Sequence, residues 1–283
     1  MQKKPGLILF VCVMALFLFT PMANAEPEAG ETWTEPTTGM EFVWVTGGCY
    51  QMGCGNWTDN CDDDEKPVHE VCVDGFWIGK YEVTIDQYRN FLQSTGNTEG
   101  VDWDDEDCPI EKDNSFSLSG NKFGQHGHQP MVEVSWNGAR AFTNWLSRNT
   151  GKEFGLPTEA KWEYAARSGG KRQKYAGGND VDSVAWYEDN SGDHTHKVGS
   201  KSPNGLGIYD MSGNVWEWCS DRYAEDYYSN SPQKNPQGPS SGSYWAARGG
   251  SFAYHAGDVR TANRVGYWST RFNLGLRLMR TVD

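Results

Sequence analysis

Residues 207–221, GIYDMSGNVWEWCSD, constrain this chain more than any other stretch. Gly207 and Gly213 interrupt any helical repeat, and acidic and polar residues set among Trp216 and Trp218 break plain strand alternation. A segment with so little periodicity has to be held by something other than backbone repetition, and a bound cation is the first candidate.

Export is the next reading. Lys3 and Lys4 precede an apolar run, LILFVCVMALFLF, and Ala23-Asn24-Ala25 is a small-x-small cleavage site. Residues 1–25 therefore read as a secretory signal peptide, and the mature protein is expected in the periplasm or outside the cell, with no membrane span after cleavage. The apolar run is short for a bilayer crossing. Cys12 sits inside it, away from a lipoprotein-type cleavage position. Residues 26–39, rich in Pro, Glu and Thr, read as a flexible leader, and residues 40–283 as one domain.

The formal net charge of -13 argues against a nucleic-acid partner, because a phosphate backbone needs a basic footprint. The 33 glycines, 13 tryptophans and 13 tyrosines point to a loop-rich fold stiffened by aromatic packing. Outside the signal peptide the cysteines are Cys49, Cys54, Cys61, Cys72, Cys108 and Cys219, an even number that reads as disulfides in an exported chain. Cys54 and Cys61 close a small loop, and Cys49 and Cys72 lie on two strand-like runs that could be neighbours. That leaves Cys108 with Cys219. A zinc site is the competing reading, but the spacings do not match C-x-x-C.

Short strands are expected at FVWV (residues 42–45), CYQM (49–52), HEVCV (69–73), FWI (76–78) and YEV (81–83). Thr84 is placed to cap a helix over residues 85–93, and Ser135 or Asn137 a second one ending at Gly151. Thr158 would cap a third helix, with short strands and turns thereafter. The chain carries no nucleophile elbow, Walker A loop, HExxH or dinucleotide fingerprint.

Several strings, in order, resemble the sulfatase-modifying-factor family, whose fold is that of the formylglycine-generating enzyme. They are GGCYQMG (47–53), DEKPVHEVCVDGFWIGKYEVT (64–84), VEVSWNGARAF (132–142), LPTEAKWEYAAR (156–167) and SPNGLGIYDMSGNVWEWCSD (202–221). RGGSF (248–252), RTANR (260–264) and LGLRL (274–278) complete the set. The resemblance implies an α+β, loop-rich variant of the C-type-lectin fold with short strands and few helices.

It also implies a calcium site at Asp210 and Glu217, completed by the backbone carbonyls of Gly213 and Val215. Calcium takes about six to eight oxygens in flexible geometry, which two carboxylates and turn carbonyls suit. The alternative is that the two carboxylates satisfy buried N–H groups or pair with an arginine. A second calcium site of the family would fall near residues 186–193.

Family enzymes oxidise a substrate cysteine with copper(I) held by two cysteines after the RGGS-like string. Here Tyr254 and Val259 stand at those positions, so copper is not expected, because copper(I) requires soft thiolates. Two function classes follow. One is an oxidoreductase-like family member using another metal, with His255, Asp258, His194 and His196 as candidate ligands, or a catalytically silent one. The other is a C-type-lectin-like binding module for an unidentified protein or small molecule, with Phe252, Tyr254, His255, Asp258, Tyr267 and Trp268 as contact candidates. Between Gly249 and Leu278 there is no Lys, Glu, Gln or Met, as expected of a segment diversified at template adenines, in which Trp268 would have to be fixed by the template. Arg260, Arg264, Arg271 and Arg277 are expected to buttress loop carboxylates and carbonyls.

Overall fold

The computed structural model describes residues 26–119 and 126–282, with Met1 and Gln2. The signal-peptide reading falls, but for those two residues, outside the described residues. The strands are β1 (Thr32–Thr34), β2 (Glu41–Val45), β3 (Gly48–Met52), β4 (His69–Val73), β5 (Phe76–Gly79), β6 (Phe154–Gly155) and β7 (Trp216–Arg222). They continue with β8 (Trp245–Arg248), β9 (Arg264–Tyr267), β10 (Leu274–Gly275) and β11 (Met279–Arg280). The α-helices are α1 (Ile85–Thr95), α2 (Trp136–Thr150), α3 (Glu159–Ala166), α4 (Val181–Val184) and α5 (Glu188–Ser191).

Period-two alternation decides how the first sheet packs. In β2, Phe42 and Trp44 enter one apolar cluster while Val43 and Val45 enter another, so both faces of the sheet are covered. The five strands run in the order β1-β2-β5-β11-β6, and the late C-terminal strand β11 is inserted beside β5. On one face lie α1 and α2, contributing Tyr88, Phe91 and Phe142. On the other lies α3, contributing Trp162 and Ala165. Each large apolar side chain so buried contributes about 1.5–3 kcal/mol.

The first three helices start and stop where their caps dictate. Thr84 and Gln87 form a reciprocal capping box on α1, and Gly96 ends it at φ 65°. Ser135 caps α2 and Gly151 closes it at φ 68°. Thr158 caps α3. The two four-residue helices α4 and α5 fall in the stretch read as strands and turns, too short to carry a periodic signal.

Three sequence expectations change. Residues 32–34, read as part of a flexible leader, form β1 and pair antiparallel with β2, while Trp33 packs on Phe42, Trp77 and Phe154. Residues 81–83 form no strand. Cys108 and Cys219 are free thiols rather than a disulfide. Cys108 lies in the cluster with α1 and α2, where its Sγ donates to the Ile110 carbonyl, and Cys219 lies in the other cluster, beneath α3. The remaining pairs form as expected: Cys49–Cys72 joins directly opposed residues of β3 and β4, and Cys54–Cys61 closes its short loop.

Candidate functional site

The second sheet, in the order β10-β7-β8-β9, carries the irregular segment. Before β7 the backbone turns through Asp210 at φ 59°, Gly213 at φ 80° and Asn214 at φ 60°, three left-handed residues within a few positions. Two of them are not glycine, and such residues persist only where their surroundings over-determine them. Here those surroundings are hydrogen bonds: Gly213 N–H donates to the Gly249 carbonyl at 2.8 Å, and Asn214 N–H to the Trp186 carbonyl at 2.8 Å. The Asn214 side chain spans Glu82 and the backbone of His196.

The carboxylates around this turn are buried: Glu82, Asp210 and Glu217 are at most 3% exposed. Glu217 receives Arg277 Nη2 at 2.6 Å, Arg277 Nε at 2.9 and 3.0 Å, and the Trp162 indole at 2.6 Å. Asp210 accepts from Gly199 N–H at 2.6 Å. Glu82 accepts from Asn214 Nδ2 and from Val215 N–H. Burial first, then repulsion from Asp210 and Glu217, holds the Glu82 carboxyl well above the ordinary range. Burial also pushes Asp210 up, to about 6.

Arg277 hydrogen-bonds Glu217, and its charge also acts on Glu82 and Asp210. Its pairing with Glu217 is the arginine alternative foreseen for that residue. The acids of this turn are engaged as they stand, Glu217 by Arg277 and the Trp162 indole and Asp210 by the Gly199 N–H, and Glu82, Asp210 and Glu217 do not bring three carboxylate oxygens within 4.8 Å of one another. Sequence reasoning missed Glu82, although it sits in the YEVT string; no local spacing marks a carboxylate that joins the site across 128 residues.

The positions of the family cysteines diverge. Tyr254 is half-buried, edge-on to Trp216, with its hydroxyl 3.3 Å from that of Tyr267. Burial and the Tyr254 contact push the Tyr267 hydroxyl well above the ordinary tyrosine range. Val259 is fully buried in a separate cluster with Tyr175, Val184 and Tyr187. Of the other contact candidates, Phe252 and Tyr267 are buried and contribute packing. His255 is exposed and pairs with Glu188 of α5, and Asp258 donates its N–H to the His255 carbonyl at 2.9 Å. Trp268 is 71% exposed. The His194 and His196 rings lie edge to face, their centroids 4.4 Å apart.

Three of the four arginines buttress as expected: Arg260 on Glu65, Arg264 on Glu159 and Arg277 on Glu217. Arg271 instead lies over the Tyr267 ring. Arg248, from the RGGS string, bridges Glu159 and Glu163 of α3 and ties the second sheet to that helix.

Sheets with few helices, joined by long irregular connections around this turn, define the C-type-lectin-like fold of formylglycine-generating enzymes. PvdO of Pseudomonas aeruginosa superposes with a TM-score of 0.77 at 26% identity, covering 91% of this chain and 100% of its own. Variable protein 1 of Treponema denticola superposes with a TM-score of 0.69 at 28% identity, covering 88% and 98%. Residues 28–282 match the sulfatase-modifying factor enzyme 1-like domain, and the chain belongs to that family. The formylglycine-generating enzyme of Streptomyces coelicolor is 30% identical over 95% of this chain and 98% of its own length. The serine/threonine-protein kinase pkn1 of Chlamydia caviae is 31% identical over 89% of this chain, which spans 40% of the kinase's length. No helix among the described residues is long and apolar enough to cross a membrane.

Proposed function

We propose that this chain is an exported, ligand-binding member of the sulfatase-modifying factor family that does not perform copper-dependent cysteine oxidation. The observation that carries the reading is the fate of the two cysteine positions. A phenol locked against Trp216 and Tyr267 stands at one, and a valine buried in a different apolar cluster stands at the other. Neither offers the soft donor copper(I) needs. Tyr254, His255, Asp258 and Trp268 remain reachable from solvent on the same C-terminal segment and form the contact face in this reading, for a protein or small-molecule ligand. Calcium is proposed to stiffen the turn beneath it through Asp210, Gly213, Val215 and Glu217, favouring the ionised form of the buried Asp210 carboxyl.

Copper(I) competition against a chromophoric chelator tests the first half. The mature protein is expected to take up no stoichiometric copper(I) and to drive no oxygen uptake with a cysteine-containing peptide. A tight, thiol-dependent copper(I) complex would refute the proposal. So would metal-dependent oxygen uptake, which would instead support an oxidase using another metal, a reading favoured by the nearly full-length similarity to the Streptomyces enzyme.

The likeness to the Treponema variable protein supports a finer version, in which the segment between Gly249 and Leu278 is diversified. An imperfect copy of its coding sequence beside a reverse transcriptase in the neighbouring DNA is the expected finding there. Its absence from a complete genome sequence would remove that version.

A further inference from the structure

Four of the six histidines in this chain fall in two H-x-H strings, His126-Gly127-His128 and His194-Thr195-His196. The strings are 66 residues apart measured between Gln129 and Thr195, yet they line one cavity of about 460 Å³ together with Gln129 and Lys197. We propose that these histidines form a binding site for a first-row divalent transition ion of the zinc or copper(II) class, separate from the Asp210–Glu217 turn.

The two strings are strapped side by side. Val198 N–H donates to the His128 carbonyl at 3.1 Å, and Gln129 Nε2 donates to the Thr195 carbonyl at 2.6 Å. Gln129 N–H also donates to the His126 carbonyl, while its side-chain oxygen accepts from His126 N–H. The backbone therefore fixes the separation of the strings, and only side-chain torsions remain to be set.

Two of the rings are already oriented. His194 Nδ1 and His196 Nε2 both contact the Ser191 carbonyl, at 2.6 and 2.8 Å. A carbonyl accepts, so each of those nitrogens carries the proton, and His194 Nε2 and His196 Nδ1 keep their lone pairs. A carbonyl bonded to the far nitrogen is how metal-binding imidazoles are oriented and made more basic. His196 is also stacked on Trp186, the centroids 3.7 Å apart. The Thr195 hydroxyl oxygen is buried and has no hydrogen-bond partner among the described residues.

The donor set decides the ion. No carboxylate or thiol lines the cavity. Calcium and magnesium want oxygen, and copper(I) wants sulfur, whereas imidazole suits zinc, copper(II) and nickel(II). No three of these histidines bring their ring nitrogens within 4.8 Å of one another in this rotamer set. His126 and His128 are exposed and can turn inward about their side-chain torsions, and Lys197, also exposed, can swing away to solvent.

The test uses the EDTA-treated mature chain. Zinc titration by calorimetry is expected to show one equivalent bound, and copper(II) is expected to give an electron paramagnetic resonance spectrum with coupling to several imidazole nitrogens. Removing an orienting partner from a metal-bound histidine typically costs about 10–100-fold in affinity, so removing ligands should cost at least as much. The double substitutions His126→Ala/His128→Ala and His194→Ala/His196→Ala should each lose more than about a hundredfold. The metal-free melting temperature of the first pair, which is exposed, should not change. Absence of stoichiometric binding overturns the proposal. So does binding that survives His126→Ala/His128→Ala, because that outcome reduces the site to chelation by one string.

Discussion

Arg277 closes on Glu217 with its Nη2 at 2.6 Å and its Nε at 2.9 and 3.0 Å from the carboxylate, both side chains fully buried. The same guanidinium donates to the carbonyls of Gly79 and Tyr209, so it joins β7, the end of β5 and the loop before Asp210. With Glu82 and Asp210 also buried nearby, the positive charge of Arg277 acts on three buried acids. One charge holds together strands from opposite ends of the chain, and its removal leaves the acids facing one another.

Arg277→Met is predicted to be strongly destabilising, by about 3–5 kcal/mol, because breaking a buried pair leaves an uncompensated charge. Urea midpoints in excess EDTA measure it. Arg277→Met/Glu217→Gln should recover part of the loss, since it removes one of the unpaired carboxylates. A single variant with wild-type stability would show that the pair carries no net weight here.

The pH dependence follows from Asp210. Its folded-state carboxyl is raised to about 6 from an ordinary value near 4, so the folded protein holds that proton over a range where the unfolded chain has lost it. Its contribution is fully present below the unfolded value and is lost as pH rises from about 4 to about 6. In EDTA, the wild type is therefore predicted to lose stability relative to Asp210→Asn across that window. Calcium favours the ionised carboxylate and should restore stability above pH 6 in the wild type alone. Urea midpoints between pH 4 and 7, with calcium and with EDTA, test both. A wild type that gains on Asp210→Asn through the window in EDTA contradicts the assignment, and identical midpoints with calcium and EDTA contradict the metal.

Much of this was legible in the sequence because it is local. Thr84, Ser135 and Thr158 each cap a helix by a bond to an N–H three residues on, a relation visible in any single string. The turn around Asp210 was equally visible, because its oddity lies in its own residues. What was missed is long-range. Thr32–Thr34 looked like leader because its composition is polar, and only the approach of Phe42 and Phe154 gives Trp33 a surface to cover. Glu82 joins the acid cluster through Asn214 and Val215, at a sequence distance no motif spans. Phe252 and Tyr267 resembled an exposed aromatic face because glycine and polar residues surround them, but the irregular backbone folds them inward.

The thiols check the revised cysteine pattern. Parity assigned Cys108 to Cys219, whereas the fold puts them in separate apolar clusters. Burial raises both, Cys108 to about 11 and Cys219 well above the ordinary thiol value, so little thiolate exists at pH 8. We predict negligible labelling by a thiol reagent in the native mature protein within minutes and two reactive thiols per mature chain, without Cys12, after denaturation without reductant, matching the two free cysteines of the described residues. No reactive thiol after denaturation would mean that the third disulfide forms.

Gly213 offers the most direct probe of why the irregular segment has its sequence. It lies at φ 80°, and its backbone forms a parallel bridge with Trp186. A Cβ at this position would overlap the Trp186 carbonyl and its adjoining backbone atoms, none of which belongs to a flexible side chain. The same Trp186 carbonyl accepts the Asn214 N–H, so moving it aside breaks the bond that holds the next left-handed residue. Gly213→Ala is therefore predicted to cost more than the roughly 1 kcal/mol of an ordinary positive-φ substitution, with the excess coming from the backbone clash. It should also weaken calcium stabilisation, because the Gly213 carbonyl is one of the proposed ligands. Gly207→Ala is the matched control: Gly207 also has positive φ, at 80°, but a Cβ there meets nothing within 4 Å. Equal losses of melting temperature in the two variants would assign the whole effect to backbone conformation and remove the steric argument for glycine at 213.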